Sequence, residues 1–240
     1  MTDGSTQAVL YESGNQGMLY DSCFAIAPDL QVFEPAFYQD RAQAVSAGGR
    51  NAAWFVQDGW GTGVLRQYRR GGLIARLNKF HYVWTGAEKT RSFAEFRLLQ
   101  YMHGKGLPVP KAVAACYTRS VCSYRAAIIT ERLANTTPLA SILKQMPASN
   151  DTLPLARACA ESIRQMHQAN VWHADLNAFN ILIDPQGKAW LIDFDKGKQT
   201  VMSPSLCQGN LNRLKRSLEK ILQERGLAFW EQLNRIYSQI

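Results

Sequence analysis

His173-Ala174-Asp175-Leu176-Asn177-Ala178-Phe179-Asn180-Ile181-Leu182-Ile183-Asp184, followed by Trp190-Leu191-Ile192-Asp193-Phe194-Asp195, organises the reading of the whole chain. Ile181 to Ile183 reads as a short buried strand. Asp184-Pro185-Gln186-Gly187 then places Pro at the second turn position and Gly at the fourth, and Ala189 to Ile192 reads as the return strand. Pairing the two strands brings Asp193 back beside Asn180 and the loop carrying Asp175. Phosphoryl transfer from ATP needs one carboxylate to orient the acceptor hydroxyl and take its proton. It also needs a carboxylate and an amide oxygen to hold magnesium on the phosphates. Asp175 is assigned the first role, and Asp193 and Asn180 the second. Asp and Asn residues that merely cap short strands would not need this order and spacing.

The order H-x-D-x-x-x-x-N, hairpin, D-F-x is the catalytic pattern of eukaryotic-type kinases, and here the motif sits in the structural context it requires. Composition fits such a fold. At 240 residues and 46% hydrophobic, the chain can build one large domain or two apposed lobes. Near the N-terminus no basic segment leads into a long apolar run, and no stretch of 18 apolar residues occurs, so neither a signal peptide nor a membrane span is expected and a cytosolic location is. The five cysteines are odd in number and scattered, without CxxC spacing, which argues against a disulfide framework or a zinc site. A net charge of +8 implies an anionic partner: nucleotide, phosphorylated substrate, nucleic acid or acidic membrane.

Residues 1 to 30 show little periodicity and are expected to be loosely structured. Ala42 to Ser46, Ala53 to Gln57 and Gly63 to Tyr68 read as three successive strands. The turn from Gly48 to Ala52 joins the first two, as a phosphate-covering loop does in a kinase, which makes Gly48 and Gly49 the candidate nucleotide contacts. Gly59 to Gly63 is then an ordinary hairpin turn. Arg66 stands on the third strand where kinases carry a lysine, and can bridge phosphate oxygens and a helix carboxylate. Phe93, Phe96, Leu99 and Met102 form an apolar helical stripe beside which Glu95 is placed to reach Arg66; a solvated helix-face charge is the alternative. Ala126 to Thr130 reads as a strand that runs through Glu131 to Leu133 into a hinge whose backbone would bind the adenine edge. Asp151 or Thr152 caps a helix carrying Leu155, Cys159, Ile163 and Met166. His167 reads as a packed structural histidine and His173 as a brace for the catalytic loop.

Four stretches together carry a family resemblance: His173 to Leu182; Leu191 to Gly197; Leu65-Arg66-x-Tyr68-Arg69-Arg70-Gly71-Gly72-Leu73; and Asn210-Leu211-x-Arg213-Leu214-x-Arg216-Ser217-Leu218. Over roughly residues 40 to 225 the chain resembles the bacterial 3-deoxy-D-manno-octulosonic acid (Kdo) kinases, within the lipopolysaccharide core kinases. The resemblance implies an α+β, bilobal protein-kinase-like fold, with an antiparallel-sheet N-lobe through the hinge in residues 1–133 and a shortened, mainly helical C-lobe in 134–240. It implies ATP and Mg2+, and phosphorylation of the 4-hydroxyl of Kdo on a lipid A precursor during lipopolysaccharide inner-core synthesis. The enzyme would work as a peripheral protein on the cytoplasmic face of the bacterial inner membrane. Arg69 and Arg70 are the candidate acceptor contacts. They belong to a run of seven cations from Arg66 to Arg91 against the single acid Glu88, suited to an anionic sugar and an anionic leaflet.

The departures from protein kinases are informative. Ala174 replaces the Arg that reads a phosphorylated activation loop, Asp195 replaces the Gly of D-F-G, and no A-P-E follows. These imply a site competent without phosphorylation and open to a small or lipid-linked hydroxyl. Leu211, Leu214, Leu218, Ile221 and Leu222 mark an amphipathic helix expected to cover the short C-lobe. The rivals are a heptose kinase of the same core, an aminoglycoside- or choline-type phosphotransferase, and a nucleotide-binding pseudokinase, against which the joint presence of Asp175, Asn180 and Asp193 argues. No nucleic-acid partner is expected, because no recognised module or aromatic array accompanies the charge.

Overall fold

A computed structural model of the chain describes residues 7–45, 53–68, 82–147 and 149–240. The chain divides into two units, one of residues 1–100 and 111–132, the other of 101–110 and 133–240. The first is built on an antiparallel sheet and the second is mainly helical, the α+β content of a kinase-like fold.

The first unit opens on a hairpin that the sequence reading left as a loose start. β1 (Ala8–Ser13) and β2 (Gln16–Asp21) pair in register from Ala8 opposite Asp21 to Ser13 opposite Gln16, so Gly14 and Asn15 form a two-residue turn. Gly14 sits at φ +60, the left-handed conformation such a turn needs. β2 buries Met18 and Leu19 completely, which anchors the hairpin. The strand expected first is therefore third in the chain, and shorter than expected: β3 (Ala42–Ala44), followed by β4 (Ala53–Asp58), β5 (Gly61–Gln67) and β6 (Tyr82–Val83). β4 and β5 close on Gly59 and Trp60, with Asp58 opposite Gly61 at φ +121, an ordinary hairpin turn.

After α1 (Arg91–Gly104), β7 (Ala112–Arg119) and β8 (Ser123–Glu131) complete a sheet in the order β1-β2-β7-β8-β5-β4-β3, with β6 also on β8. Central placement explains the apolar β7, whose first six residues are all buried. Met18, Leu65, Val113 and Ile129 form the core of this layer, with Val32, Phe33 and Tyr38 from the chain between β2 and β3 packed on it. Phe93, Phe96, Leu99 and Met102 of α1 are all buried, as the three-residue spacing predicts.

In the second unit, β9 (Thr137–Pro138) precedes α2 (Leu139–Gln145) and α3 (Leu153–Gln168). Pro154 occupies the first turn of α3, where its missing N–H is harmless, and the Asp151 carboxylate accepts from Leu153 N–H at 2.9 Å. The Thr152 hydroxyl instead donates to Gln232. β10 (Val171–Trp172) leads to the loop, and β11 (Ile181–Ile183) pairs with β12 (Ala189–Leu191) as the predicted hairpin, Ile181 opposite Leu191. β13 (Lys198–Gln199) pairs with β10. Two helices end the chain. α4 (Pro204–Leu222) is capped by the Ser203 hydroxyl, and α5 (Glu224–Gln239) was not foreseen from the sequence. A Cβ at Gly226 would run into the Leu218 carbonyl, so the glycine lets the start of α5 lie against the backbone of α4.

Candidate active site

The candidate catalytic loop, residues 173–180, is held from beneath by its own apolar residues. Leu176 and Ala178 are fully buried, which leaves the intervening polar side chains turned outward; Asp175 has a side chain 63% exposed. Beyond the loop, β11 and β12 bring the hairpin back on itself, and Ile192 N–H donates to the Asn180 carbonyl at 3.0 Å. Asp193 therefore emerges directly beside Asn180. The Asn180 amide nitrogen donates to the Asp175 carbonyl at 2.9 Å, so its oxygen is the end left for a cation. Asp175, Asn180 and Asp193 are thus gathered in one small region of the second unit. A carboxylate and an amide oxygen fit magnesium, which prefers oxygen donors and takes the rest from phosphates and water. Asp193 adopts φ +62, a conformation that costs a non-glycine residue about 1 kcal/mol or more and is characteristic of functional turns.

His173 ties these pieces together. Its Nδ1 accepts from Asp175 N–H at 3.0 Å, so the ring proton lies on Nε2, which donates to the Ile192 carbonyl at 3.0 Å. Its ring packs on the fully buried Phe194, with centroids 4.6 Å apart. Burial lowers its pKa, which keeps the ring neutral as this bonding requires.

Three further residues position the loop, and all lie on α4. Asn210 donates to the His173 carbonyl at 2.7 Å and accepts from His173 N–H at 3.3 Å. Arg213 brings Nη1 to 3.8 Å from Asp175 Oδ1, and the Ser217 hydroxyl accepts from Ala178 N–H at 3.2 Å. Steps of three and four residues put these side chains on one helix face, so a single element meets the loop at its start, middle and end. Asn177 completes the loop from within. Its Oδ1 accepts from Phe179 N–H and Asn180 N–H, and its Nδ2 donates to Asp175 Oδ2 at 3.2 Å. Asn177 lies outside the H-x-D-x-x-x-x-N motif positions, although Asn two residues before a strand-leading turn is a usual signature of such side-chain-closed turns.

His167 on α3 extends the network. Asn210 Oδ1 can only accept, so His167 Nε2 donates to it at 3.1 Å and Nδ1 accepts from the Tyr237 hydroxyl at 2.7 Å. Burial, chiefly, pushes its pKa down to about 4 from 6.5. A histidine neutral in the fold and protonated in the unfolded chain stabilises fully above pH 6.5, and this stability is lost as pH falls toward 4. The depression corresponds to about 3 kcal/mol. Chemical denaturation at pH 7 and pH 4.5 is expected to show a larger loss for the wild type than for His167→Gln, which does not titrate. Equal losses would assign the acid limb to other groups.

In the first unit, Arg66 and Glu95 are paired. Arg66 lies on β5 between Ala53 of β4 and Ile128 of β8, and its guanidinium donates to Glu95 Oε1. Glu95 is 3% exposed, and its other oxygen accepts from the Tyr68 hydroxyl. The buried carboxylate drives the Tyr68 pKa up along with burial itself, which is the larger cause. Glu131 closes β8, its N–H donating to the Lys111 carbonyl. Leu133 begins the second unit's main segment, its carbonyl accepting from the Thr136 hydroxyl. Gly48, Gly49, Arg69 and Arg70 lie outside the described residues.

The sequence model of the lipopolysaccharide kinase (Kdo/WaaP) family matches residues 35–237. A 3-deoxy-D-manno-octulosonic acid kinase of Xylella fastidiosa (strain M12) is 45% identical over 211 residues, covering 86% of this chain and 83% of that protein. One of Xanthomonas axonopodis pv. citri (strain 306) is 42% identical over 227 residues, covering 95% of this chain and 88% of that protein. A family model matched over residues 35–237 and relatives 42–45% identical over most of the chain place it in the lipopolysaccharide kinase (Kdo/WaaP) family.

Proposed function

We propose that this chain transfers the γ-phosphoryl group of ATP to the 4-hydroxyl of Kdo on a lipid A precursor. The observation that carries the chemistry is the gathering of Asp175, Asn180 and Asp193 by one loop and one hairpin. The acceptor is supported by the activity for which the relatives are named. Asp175 accepts a hydrogen bond from the sugar hydroxyl and takes its proton as the new O–P bond forms and the bond to ADP breaks. Asp193 and Asn180 would hold Mg2+, which would neutralise phosphate charge there. Arg66, fixed by Glu95, adds positive charge toward the nucleotide, with Gly48 and Gly49 covering the phosphates and the backbone of Glu131 and Leu133 meeting the adenine. Ala174, where protein kinases carry Arg, leaves the loop independent of a phosphorylated segment.

The reaction belongs on the cytoplasmic face of the inner membrane, where ATP is available, with the enzyme peripheral. Among the described residues no helix is long and apolar enough to cross a membrane. The cations between Arg66 and Arg91, Arg69 and Arg70 among them, suit an anionic leaflet and acceptor, each worth about 1 kcal/mol near such a surface. The test is phosphate transfer from labelled ATP and Mg2+ to Kdo-bearing lipid A precursor, beside the Kdo-free precursor. Labelling of the Kdo-bearing lipid alone is the expected result. Labelling of neither, or of a heptose-bearing core instead, overturns the acceptor assignment.

A further inference from the structure

A second feature of α4 is a cluster of cations beside Asp175. Next to Asp175 lies a pocket of about 490 Å³, whose wall is formed by Arg213, Arg216 and Lys220 of α4 and Lys144 of α2, with Phe179 at its edge. Four cations thus converge on a site whose one acid is the base itself. Positions 213, 216 and 220 follow steps of three and four, so like charges are stacked along one helix face, where they repel. Among the described residues Lys144, Arg216 and Lys220 form no ion pair with an acid. Arg213 stands 3.8 Å from Asp175 Oδ1, beyond hydrogen-bond reach, and its Nε is buried without a hydrogen-bond partner. The arrangement has uncommitted donors and unrelieved repulsion, both of which an anion would satisfy.

The nucleotide is not that anion. The pocket shares Asp175 with the catalytic loop, but neither Asn180 nor Asp193 lines it. A nucleotide held through those two residues leaves this side of the base to the acceptor. The exposed Phe179, at 48%, gives the same pocket an aromatic face on which a sugar ring can lie. Its volume lies within the range of small-ligand sites.

Resting on the acceptor-phosphorylating role above, we propose that Lys144, Arg213, Arg216 and Lys220 form the acceptor subsite, recognising an anionic group on the sugar-lipid so that its hydroxyl meets Asp175. The group is a carboxylate on the reacting sugar or a phosphate on its neighbour; both satisfy the same donors. This assigns specificity to α4, whose Asn210 and Ser217 hold the loop while Arg216 and Lys220 hold the substrate.

The test compares wild type with Arg216→Gln, Lys220→Gln, Lys144→Gln and the Arg216→Gln/Lys220→Gln pair in steady-state kinetics, with thermal denaturation as a fold control. The exposed side chains of Arg216, Lys220 and Lys144 predict an unchanged melting temperature. The acceptor KM is expected to rise about tenfold in each single variant and further in the pair, with the ATP KM within about twofold of wild type. Two altered acceptors identify the group: one with its lipid A phosphates removed and one with its Kdo carboxyl esterified. The penalty of the pair should vanish on whichever acceptor lacks the recognised anion. A penalty undiminished on both, an unchanged acceptor KM, or an equal rise in ATP KM overturns the subsite.

Acetylation of Lys144 and Lys220, read by peptide mass spectrometry without ATP, separates this proposal from the functional one. If the precursor is not phosphorylated yet pyrophosphate protects both lysines, the acceptor assignment fails and the anion subsite stands. If the precursor is phosphorylated while neither it nor pyrophosphate protects them, the subsite fails and the function stands.

Discussion

Replacing Asp175 with Asn is expected to lower turnover by about a thousandfold while leaving ATP affinity within about twofold, because only the carboxylate proposed as proton acceptor is removed. The substitution is close to isosteric. The hydrogen bond from Asn177 Nδ2 to Oδ2 can be met by the amide oxygen, and the backbone bonds of Asp175 N–H to His173 and of its carbonyl to Asn180 are untouched. What is lost with the charge is the Arg213 contact, an exposed ion pair at 3.8 Å, worth at most about 1 kcal/mol. The melting temperature should therefore hold. Asp193→Asn should instead weaken Mg2+-dependent ATP binding together with turnover, which separates base from metal ligand. The measurement is a single-turnover assay with labelled ATP beside equilibrium ATP binding with and without Mg2+. Wild-type turnover in Asp175→Asn would remove it as the base.

What could be read from the sequence follows from the range of the interactions. Ile181 to Ile183, the Pro185 and Gly187 turn and the return strand form a local unit, so turn chemistry alone specified the hairpin that juxtaposes Asn180 and Asp193. The Arg66 and Glu95 pair was half legible: chain order and the apolar stripe of α1 put Glu95 within reach of Arg66, but a solvated helix-face charge stayed open until the burial of Glu95 excluded it. The β1 and β2 hairpin was missed for the opposite reason. Four of the six residues of β1 are exposed, and the strand gives no apolar alternation; its Gly14-Asn15 turn was the available signal. β2 earns its buried Met18 and Leu19 only by pairing with β7, nearly a hundred residues later in the chain. The polar face of α4 was missed in the same way. Asn210, Arg213 and Ser217 on an amphipathic helix look solvated until tertiary packing lays the catalytic loop across them.

Asn210→Leu tests that packing and is expected to cost about 3–5 kcal/mol, a large part of a domain's stability. Asn210 is 1% exposed and serves three partners: the His173 carbonyl, the His173 N–H and His167 Nε2. A leucine fills a similar space and serves none of them, leaving three buried polar groups without partners, each costing about 1–3 kcal/mol, partly recovered by local relaxation. Because two of those groups belong to His173, the loss is not confined to stability. His173 holds Asp175 N–H through Nδ1 and the Ile192 carbonyl through Nε2, so a loosened His173 frees the base and the strand leading to Asp193 together. Turnover should fall even at temperatures where the variant stays folded. Asn210→Asp distinguishes this from generic damage. It keeps the two accepting bonds but sets a carboxylate oxygen against the His173 carbonyl, and its charge favours protonated His167. Its stability should therefore be low at pH 7 and decline less than wild type toward pH 4.5, since both acids and histidine then gain the protons that relieve the conflict. Denaturation curves at the two pH values, with turnover at 20 °C, decide the matter: an Asn210→Leu protein as stable and active as wild type would show that α4 covers the catalytic loop without holding it.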